Sequence, residues 1–155
     1  MLKEIKDFFA DLGGSEQPVN FSDGDYRVAA AALMVHLATL DHDLSAPDRE
    51  TLHALLKSRF DLTDELTAEL IDAAVAADHE AVDFYHFTHT LMRVLDEPGR
   101  RRIVEMMWQL IYADHKVSEF EDNMMWRVAD LLGVSAQERL ELKRRAAEVA
   151  QNREN

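Results

Sequence analysis

A short stretch of this chain occurs twice: Asp41-His42-Asp43-Leu44-Ser45 and Asp114-His115-Lys116-Val117-Ser118. Each copy follows a run of apolar residues, and an acid stands three residues after each serine, Asp48 in the first copy and Glu121 in the second. Similar stretches at an offset of 73 residues, the difference between 114 and 41, indicate an internal duplication. The sequence therefore predicts two similar halves, each with an acidic, histidine-containing loop at the same place.

The apolar residues on either side of the two loops recur with the spacing of α-helices. Residues 28–40 are apolar almost throughout, which indicates a central helix, and residues 103–111 repeat that helix in the second half. A serine followed three residues later by an acid is the pattern of a capping box, and it occurs at Ser45, Ser118 and Ser135. Each half is predicted as helix, loop, helix, short turn and helix. The fold class is therefore all-α, a single compact domain of about seven to eight helices built from two similar helical halves.

Methionine and tryptophan stand together twice, at residues 106–108 and 124–126. We expect these residues, with Phe120 and Val128, to pack mainly in the core, because they fall at helical spacing. An exposed Trp108 or Trp126 would instead indicate an interface, since aromatic anchors are enriched there.

A glycine-containing linker, residues 13–18, separates the first helical pattern from the rest. The preceding apolar residues fall at helical spacing; they are Leu2, Ile5, Phe8, Phe9 and Leu12. We predict an N-terminal amphipathic helix and linker over residues 1–21 and the helical domain over residues 22–152. The N-terminal helix is expected to dock on the domain or on a second copy, which makes a homodimer one alternative.

The composition narrows the classes of partner. Thirty acidic residues against 17 basic ones give a net charge of −13, which disfavours nucleic acid and anionic lipid. The basic triplets at residues 100–102 and 143–145 are predicted to lie on solvated or acid-paired helix faces. The chain has no cysteine and no apolar run of about 20 residues, so we expect a cytoplasmic protein without a transmembrane segment.

The repeated unit resembles the TerB family of tellurite-resistance-associated proteins. The resemblance rests on a helix ending in Ala-Asp or Leu-Asp, a three-residue turn, a capping serine and an acid three residues later, all duplicated within about residues 22–150. Residues 112–122 and 126–135, in the second copy, are the most specific part. The resemblance implies an all-helical fold of two similar halves, a role in resistance to tellurite and other chemical stress, and a link to metal.

Carried over by position, the acids that recur in the loops of the family fall on Asp41, Asp48, Asp114 and Glu121. The family usually has glycine after the first aspartate, whereas this chain has histidine there, His42 and His115. Glycine at that position suggests a left-handed backbone, which histidine can adopt at some cost. We therefore expect both histidines to keep the loop geometry and to add two imidazoles at its rim.

Two interpretations of the loops stay open. In the first, they form a divalent-cation site with oxygen and nitrogen ligands, namely Asp41, His42, Asp43, Asp48, Asp114, His115 and Glu121. In the second, the acids only cap helices and accept hydrogen bonds within turns. A calcium EF-hand is excluded, because Ala46 occupies the position that demands glycine and Leu52 the position that demands glutamate.

Enzyme signatures are absent: the sequence has no glycine-rich phosphate loop, nucleophile elbow or zinc-protease motif. Glu50 and His53 have the spacing of a di-metal carboxylate site, but they fall on a polar helix stripe opposite the apolar one. Asp83, His86 and His89 could instead hold a transition metal at the surface, and His36 is predicted to be a hydrogen-bonded core histidine.

The preferred hypothesis is a non-enzymatic, TerB-like module that binds a partner protein, a divalent cation or both through the duplicated acidic loops in a stress response. One alternative is a structural adaptor or homodimerisation module without a ligand. A metal-dependent enzyme is the disfavoured alternative.

Overall fold

A computed structural model describes residue 21, residues 24–113 and residues 116–154. These residues form seven α-helices and no strand, which confirms the predicted all-α fold class. The helices are α1 (Tyr26–Ala38), α2 (Ala46–Phe60), α3 (Asp64–Glu80), α4 (Tyr85–Val94), α5 (Glu97–Tyr112), α6 (Glu119–Leu131) and α7 (Ala136–Glu154). Residues 1–20 lie outside the described part, so the N-terminal helix and the domain boundary near residue 22 stay predictions.

The two halves have the same order of elements, as the duplication predicts. In the first half α1 leads through the first loop to α2, and a short turn connects α2 to α3. In the second half α5, α6 and α7 follow in the same way, and α4 links the halves. The two loops therefore occupy equivalent places in the chain.

Helix α1 lies at the centre because it is apolar on every side. Nine of its 13 residues are buried, among them four successive alanines at positions 29–32. It packs mainly against α3 and α4 and also contacts α5 and α2, and α5 in turn packs against α7 and α6. The buried residues of both halves form one continuous core. Of the helices described, none combines the length and apolarity that crossing a bilayer requires.

The short turns of the two halves share one backbone conformation. Asp61, after α2, has a φ of 55°, and Gly133, after α6, has a φ of 73°. The next amide in each turn bonds back across the helix end: Leu62 N donates to the Lys57 carbonyl at 3.0 Å, and Val134 N donates to the Ala129 carbonyl at 2.8 Å. This is the Schellman pattern of a helix terminus, in which the left-handed residue stands just past the helix. The duplication thus extends to the geometry of the turns.

The prediction that Phe120 packs in the core is wrong, because its side chain is 69% exposed. It shares a helix face with Met124, which is buried, but it stands one turn earlier in α6. There α6 borders an open groove instead of a packed neighbour. We call it the α6 groove; it lies between the end of α1, the start of α4 and α6, and its lining residues are His36, Leu40, Phe84, Glu119, Phe120, Asn123, Met124 and Arg127.

The two tryptophans differ in environment. Trp108 is fully buried in α5, with the Lys143 ammonium 5.3 Å from its ring centre, whereas Trp126 is 55% exposed on α6. The expectation of core packing is confirmed for Trp108 and wrong for Trp126. Since Trp126 and Phe120 are both on α6, this helix presents two large aromatic side chains to solvent.

Candidate functional site

The first loop follows α1 at Thr39 and exposes three side chains that could act as metal ligands. Asp41, His42 and Asp43 are exposed, while Ser45 is half-buried where α2 begins. The Ser45 hydroxyl accepts a hydrogen bond from the Asp48 amide at 3.1 Å, so the serine caps α2 as its position predicts.

The second loop starts α6 with a complete capping box. The Ser118 hydroxyl accepts from the Glu121 amide at 3.1 Å, and the Glu121 carboxylate accepts from the Ser118 amide at 2.9 Å. This confirms the box predicted at Ser118. Asp114 and His115, the other candidate ligands of this loop, lie outside the described residues.

The capping box predicted at Ser45 is only half formed. The Asp48 carboxylate makes no return bond to the Ser45 amide, because an aspartate is one methylene shorter than the glutamate or glutamine of a complete box. Its Oδ2 atom is buried and has no hydrogen-bond partner among the described residues. A buried carboxylate oxygen is normally satisfied by a donor, water or cation, so Asp48 has capacity for a ligand.

His42 lies beside that carboxylate. Its Nδ1 atom donates to the Asp43 carbonyl at 2.7 Å and stands 3.9 Å from Asp48 Oδ2. The Asp43 carbonyl raises the pKa of His42 above its ordinary value, and the charges of Asp48, Asp41 and Glu121 raise it further. The left-handed backbone expected at His42 is wrong, because Asp61 is the only non-glycine residue with positive φ in the described part of the chain.

The first loop and the start of α6 lie on the same side of the molecule. Glu121, from the second loop region, contributes to the electrostatic environment of His42 in the first. Leu40 and Glu119, which flank the two loops, also line the α6 groove together. Within residues 24–113 and 116–154, however, no three His, Asp or Glu side chains converge closely enough to hold a metal ion. A cation bound here therefore requires Asp114, His115 or water as additional ligands.

The α6 groove adds a surface that no local sequence motif marks. It encloses about 320 Å³. At one end, Arg127 Nη2 donates to the Tyr85 hydroxyl at 2.6 Å, and its guanidinium stands 5.7 Å from the Phe84 ring centre and 5.9 Å from that of Tyr85. Arg127 and Tyr85 were not singled out by the sequence, because the groove joins residues from elements that are distant in the chain.

The histidines outside the loops take structural positions. His36 Nδ1 donates to Asp78 Oδ1 at 2.8 Å, which confirms its hydrogen bonding, but its side chain is 35% exposed and thus not a core residue. His53 contacts Asp64 at 3.0 Å, and Glu50 is exposed, so the di-metal spacing lies on the surface of α2. The candidates for a surface transition metal are all exposed: His86 and His89 on α4, and Asp83 just before it.

The basic triplets are largely paired. Arg100 donates to the carbonyls of Leu95 and Leu132, and Arg101 pairs with Glu97 and Glu138. In the second triplet the paired groups are Lys143 with Asp122, Arg144 with Glu148 and Arg145 with Glu105. The predicted acid pairing is confirmed for Arg101 and for the second triplet, whereas Arg100 instead donates to backbone carbonyls at two helix ends.

Comparison with known proteins supports one family. The family model described as tellurite resistance protein TerB matches residues 27–144. The match starts in α1, ends in α7 and includes both loops. No curated protein and no solved structure gives a significant match to this chain.

Proposed function

This chain belongs to the TerB family, and from its loop geometry we propose that it is a non-enzymatic, cytoplasmic binding module of a tellurite-resistance-like stress response that binds a hard divalent cation at its duplicated loops. One observation supports the cation above all: Asp48 Oδ2 is buried without a hydrogen-bond partner among the described residues. An ionised carboxylate in that position is costly unless it is paired or coordinates a metal. His42, 3.9 Å away, is too distant for a hydrogen bond, and a cation would supply the direct partner that Asp48 Oδ2 lacks.

The donor set fits a hard cation better than a soft one. Asp41, Asp43, Asp48 and Glu121 offer carboxylate oxygens, the ligands that Ca²⁺ and Mg²⁺ prefer, and the chain has no thiolate. Mg²⁺ is commonly held by one or two carboxylates and keeps several waters. Such an ion suits a face where Asp48 is the carboxylate best placed to bind, with Asp114 as the candidate from the other loop.

Calorimetric titration with Ca²⁺, Mg²⁺, Mn²⁺ and Zn²⁺ at neutral pH tests this proposal. We expect one of the oxygen-preferring ions to bind, and Asp48→Asn to weaken its affinity by about tenfold or more, since the variant keeps the shape of the side chain and removes its charge. Asp130→Asn is the matched control, because Asp130 is exposed at the other end of α6. Heats indistinguishable from buffer, or equal affinities of wild type and Asp48→Asn, would exclude the site.

A partner protein is the second candidate ligand. The observation that favours it is the exposure of Phe120 and Trp126 on α6, since large aromatic side chains are enriched at protein interfaces. Phe120 adjoins the second loop, because it is the second residue of α6, whereas Trp126 lies six residues further on and about 120° around the helix. A partner that covers Phe120 could therefore also contact the loop before α6.

A further inference from the structure

The α6 groove is lined by four apolar and four polar or charged residues, and no side chain of the described residues fills it. Its apolar lining residues are Leu40 and Phe84, from the side of α1 and α4, and Met124 and the exposed Phe120, from α6. Its volume of about 320 Å³ lies at the lower end of small-ligand sites, which start near roughly 300 Å³, and leaves room for a bulky side chain. Insertion of an apolar group would remove the face of Phe120 from water.

Arg127 gives one end of this groove a fixed positive charge. The Tyr85 hydroxyl and the faces of Phe84 and Tyr85 hold its guanidinium in place. It has no ion-pair partner among the described residues, unlike Arg27, Arg49 and Arg101, which each contact a carboxylate. A guanidinium held in one orientation with unused N–H groups is suited to bidentate binding of a carboxylate.

Glu119 gives the other end a negative charge. It precedes Arg127 by eight residues on the same helix, which corresponds to about 12 Å along the axis. At that separation the two side chains do not pair with each other, and in the part of the chain described here Glu119 has no ion-pair partner either. The groove therefore has opposite charges at its ends and apolar residues between them.

We propose that the α6 groove binds a short extended segment of a partner protein that carries a bulky apolar side chain between an acidic and a basic residue. The acid pairs with Arg127, the apolar side chain enters between Phe84, Phe120 and Met124, and the basic group lies near Glu119. An extended chain rises about 3.3 Å per residue, so roughly four residues span the groove. This inference does not depend on a cation.

Selection from a phage-displayed random heptapeptide library tests the proposal, with the full chain as bait and EDTA present throughout. EDTA makes the outcome independent of cation binding at the loops, so the two proposals can fail separately. We expect enriched peptides to contain an apolar residue within one to three positions of Asp or Glu and a Lys or Arg on its other side. A synthetic consensus peptide is then measured by fluorescence anisotropy.

Variants locate the binding site. Arg127→Met and Phe120→Ala are expected to weaken binding of the consensus peptide about tenfold or more, whereas Leu140→Ala, an exposed apolar residue on α7, should leave it within about twofold. Arg127→Glu should redirect the selection towards peptides with Lys or Arg in place of the acid. Circular dichroism shows whether each variant keeps its helical content, and the change in peptide selectivity of Arg127→Glu cannot arise from unfolding.

Three results would overturn the inference. The first is a selection that enriches no peptide. The second is a consensus peptide that binds Arg127→Met and Phe120→Ala as tightly as wild type. The third is an Arg127→Glu variant that still prefers acidic peptides.

Discussion

His36 and Asp78 form a charged contact between helices that are distant in the chain. The contact joins the end of α1 to the end of α3, and the His36 ring also stands 5.6 Å from the ring centre of Phe84. The hydrogen bond to Asp78 raises the pKa of His36, although partial burial opposes the rise. Protonated His36 therefore stabilises the packing of α1 on α3.

The raised pKa of His36 determines how its contribution to folding stability changes with pH. His36 takes up a proton more readily in the folded state than in the unfolded state, whose reference value is 6.5. Its stabilising contribution is thus fully present below pH 6.5 and is lost as the pH rises through the higher pKa of the folded state. We expect Asp78→Asn to lower the pKa of His36 and to remove this part of the pH dependence. NMR titration of the imidazole and urea unfolding at pH 5.5, 6.5 and 8 measure the two effects.

His79→Gln is the matched control for this prediction, because His79 is exposed and adjacent to Asp78 on α3. It should leave the titration of His36 unchanged. An unaltered titration of His36 in Asp78→Asn would contradict the assigned cause of the shift.

Single-residue chemistry was predictable only where it depends on local sequence. The capping role of Ser45 follows from its position, but the missing return bond of Asp48 depends on one methylene of side-chain length, which the Ser-x-x-acid pattern does not distinguish. For His36 the hydrogen bond was predicted, but Asp78 lies 42 residues away. The sequence shows no periodicity that joins them.

Corresponding helices of the two halves start with similar caps. The duplication therefore preserves the hydrogen bonds that stabilise helix starts as well as the order of the helices. Ser118 and Ser135 form capping boxes with Glu121 and Glu138, and Ser45 caps with its hydroxyl alone. Because these bonds form within four residues, the sequence predicts helix starts well. It predicts less well which residues of a first turn are buried, as the exposure of Phe120 shows, since that depends on neighbouring helices.

Removal of one cap tests whether the capping hydrogen bonds stabilise the helix starts. Ser118→Ala takes away the acceptor for the Glu121 amide, and we expect the free energy of unfolding to fall by about 1 kcal/mol. Ser58→Ala makes the same chemical change at an exposed position inside α2, where alanine is the better helix former, so stability should rise slightly or stay the same. Urea unfolding of both variants measures the difference. Equal effects of the two substitutions would show that the cap contributes nothing.

At the scale of the whole molecule, the repeated loops predicted two helical halves, and the described helices have that arrangement. The α6 groove was not predictable, because the end of α1, the start of α4 and the outer face of α6 meet only in the folded chain. Each of those segments alone looks like an ordinary amphipathic or apolar helix. A surface between the halves can therefore be identified only from the tertiary structure, whereas the halves themselves can be predicted from the sequence.

The contact of α1 with α5 makes the two halves one cooperative unit, because buried residues of both belong to a single core. Leu33, on α1, is fully buried, so we expect Leu33→Ala to lower the free energy of unfolding by about 2–5 kcal/mol. This loss of stability should affect the second half of the domain as well. Urea unfolding followed by far-UV circular dichroism reports all helices, and Trp108 fluorescence in a Trp126→Phe background reports α5 alone. Both probes should give one unfolding transition, and Leu33→Ala should shift its midpoint equally for both. The control Leu140→Ala should hardly shift it. If Leu33→Ala left the Trp108 transition in place, the halves would unfold independently.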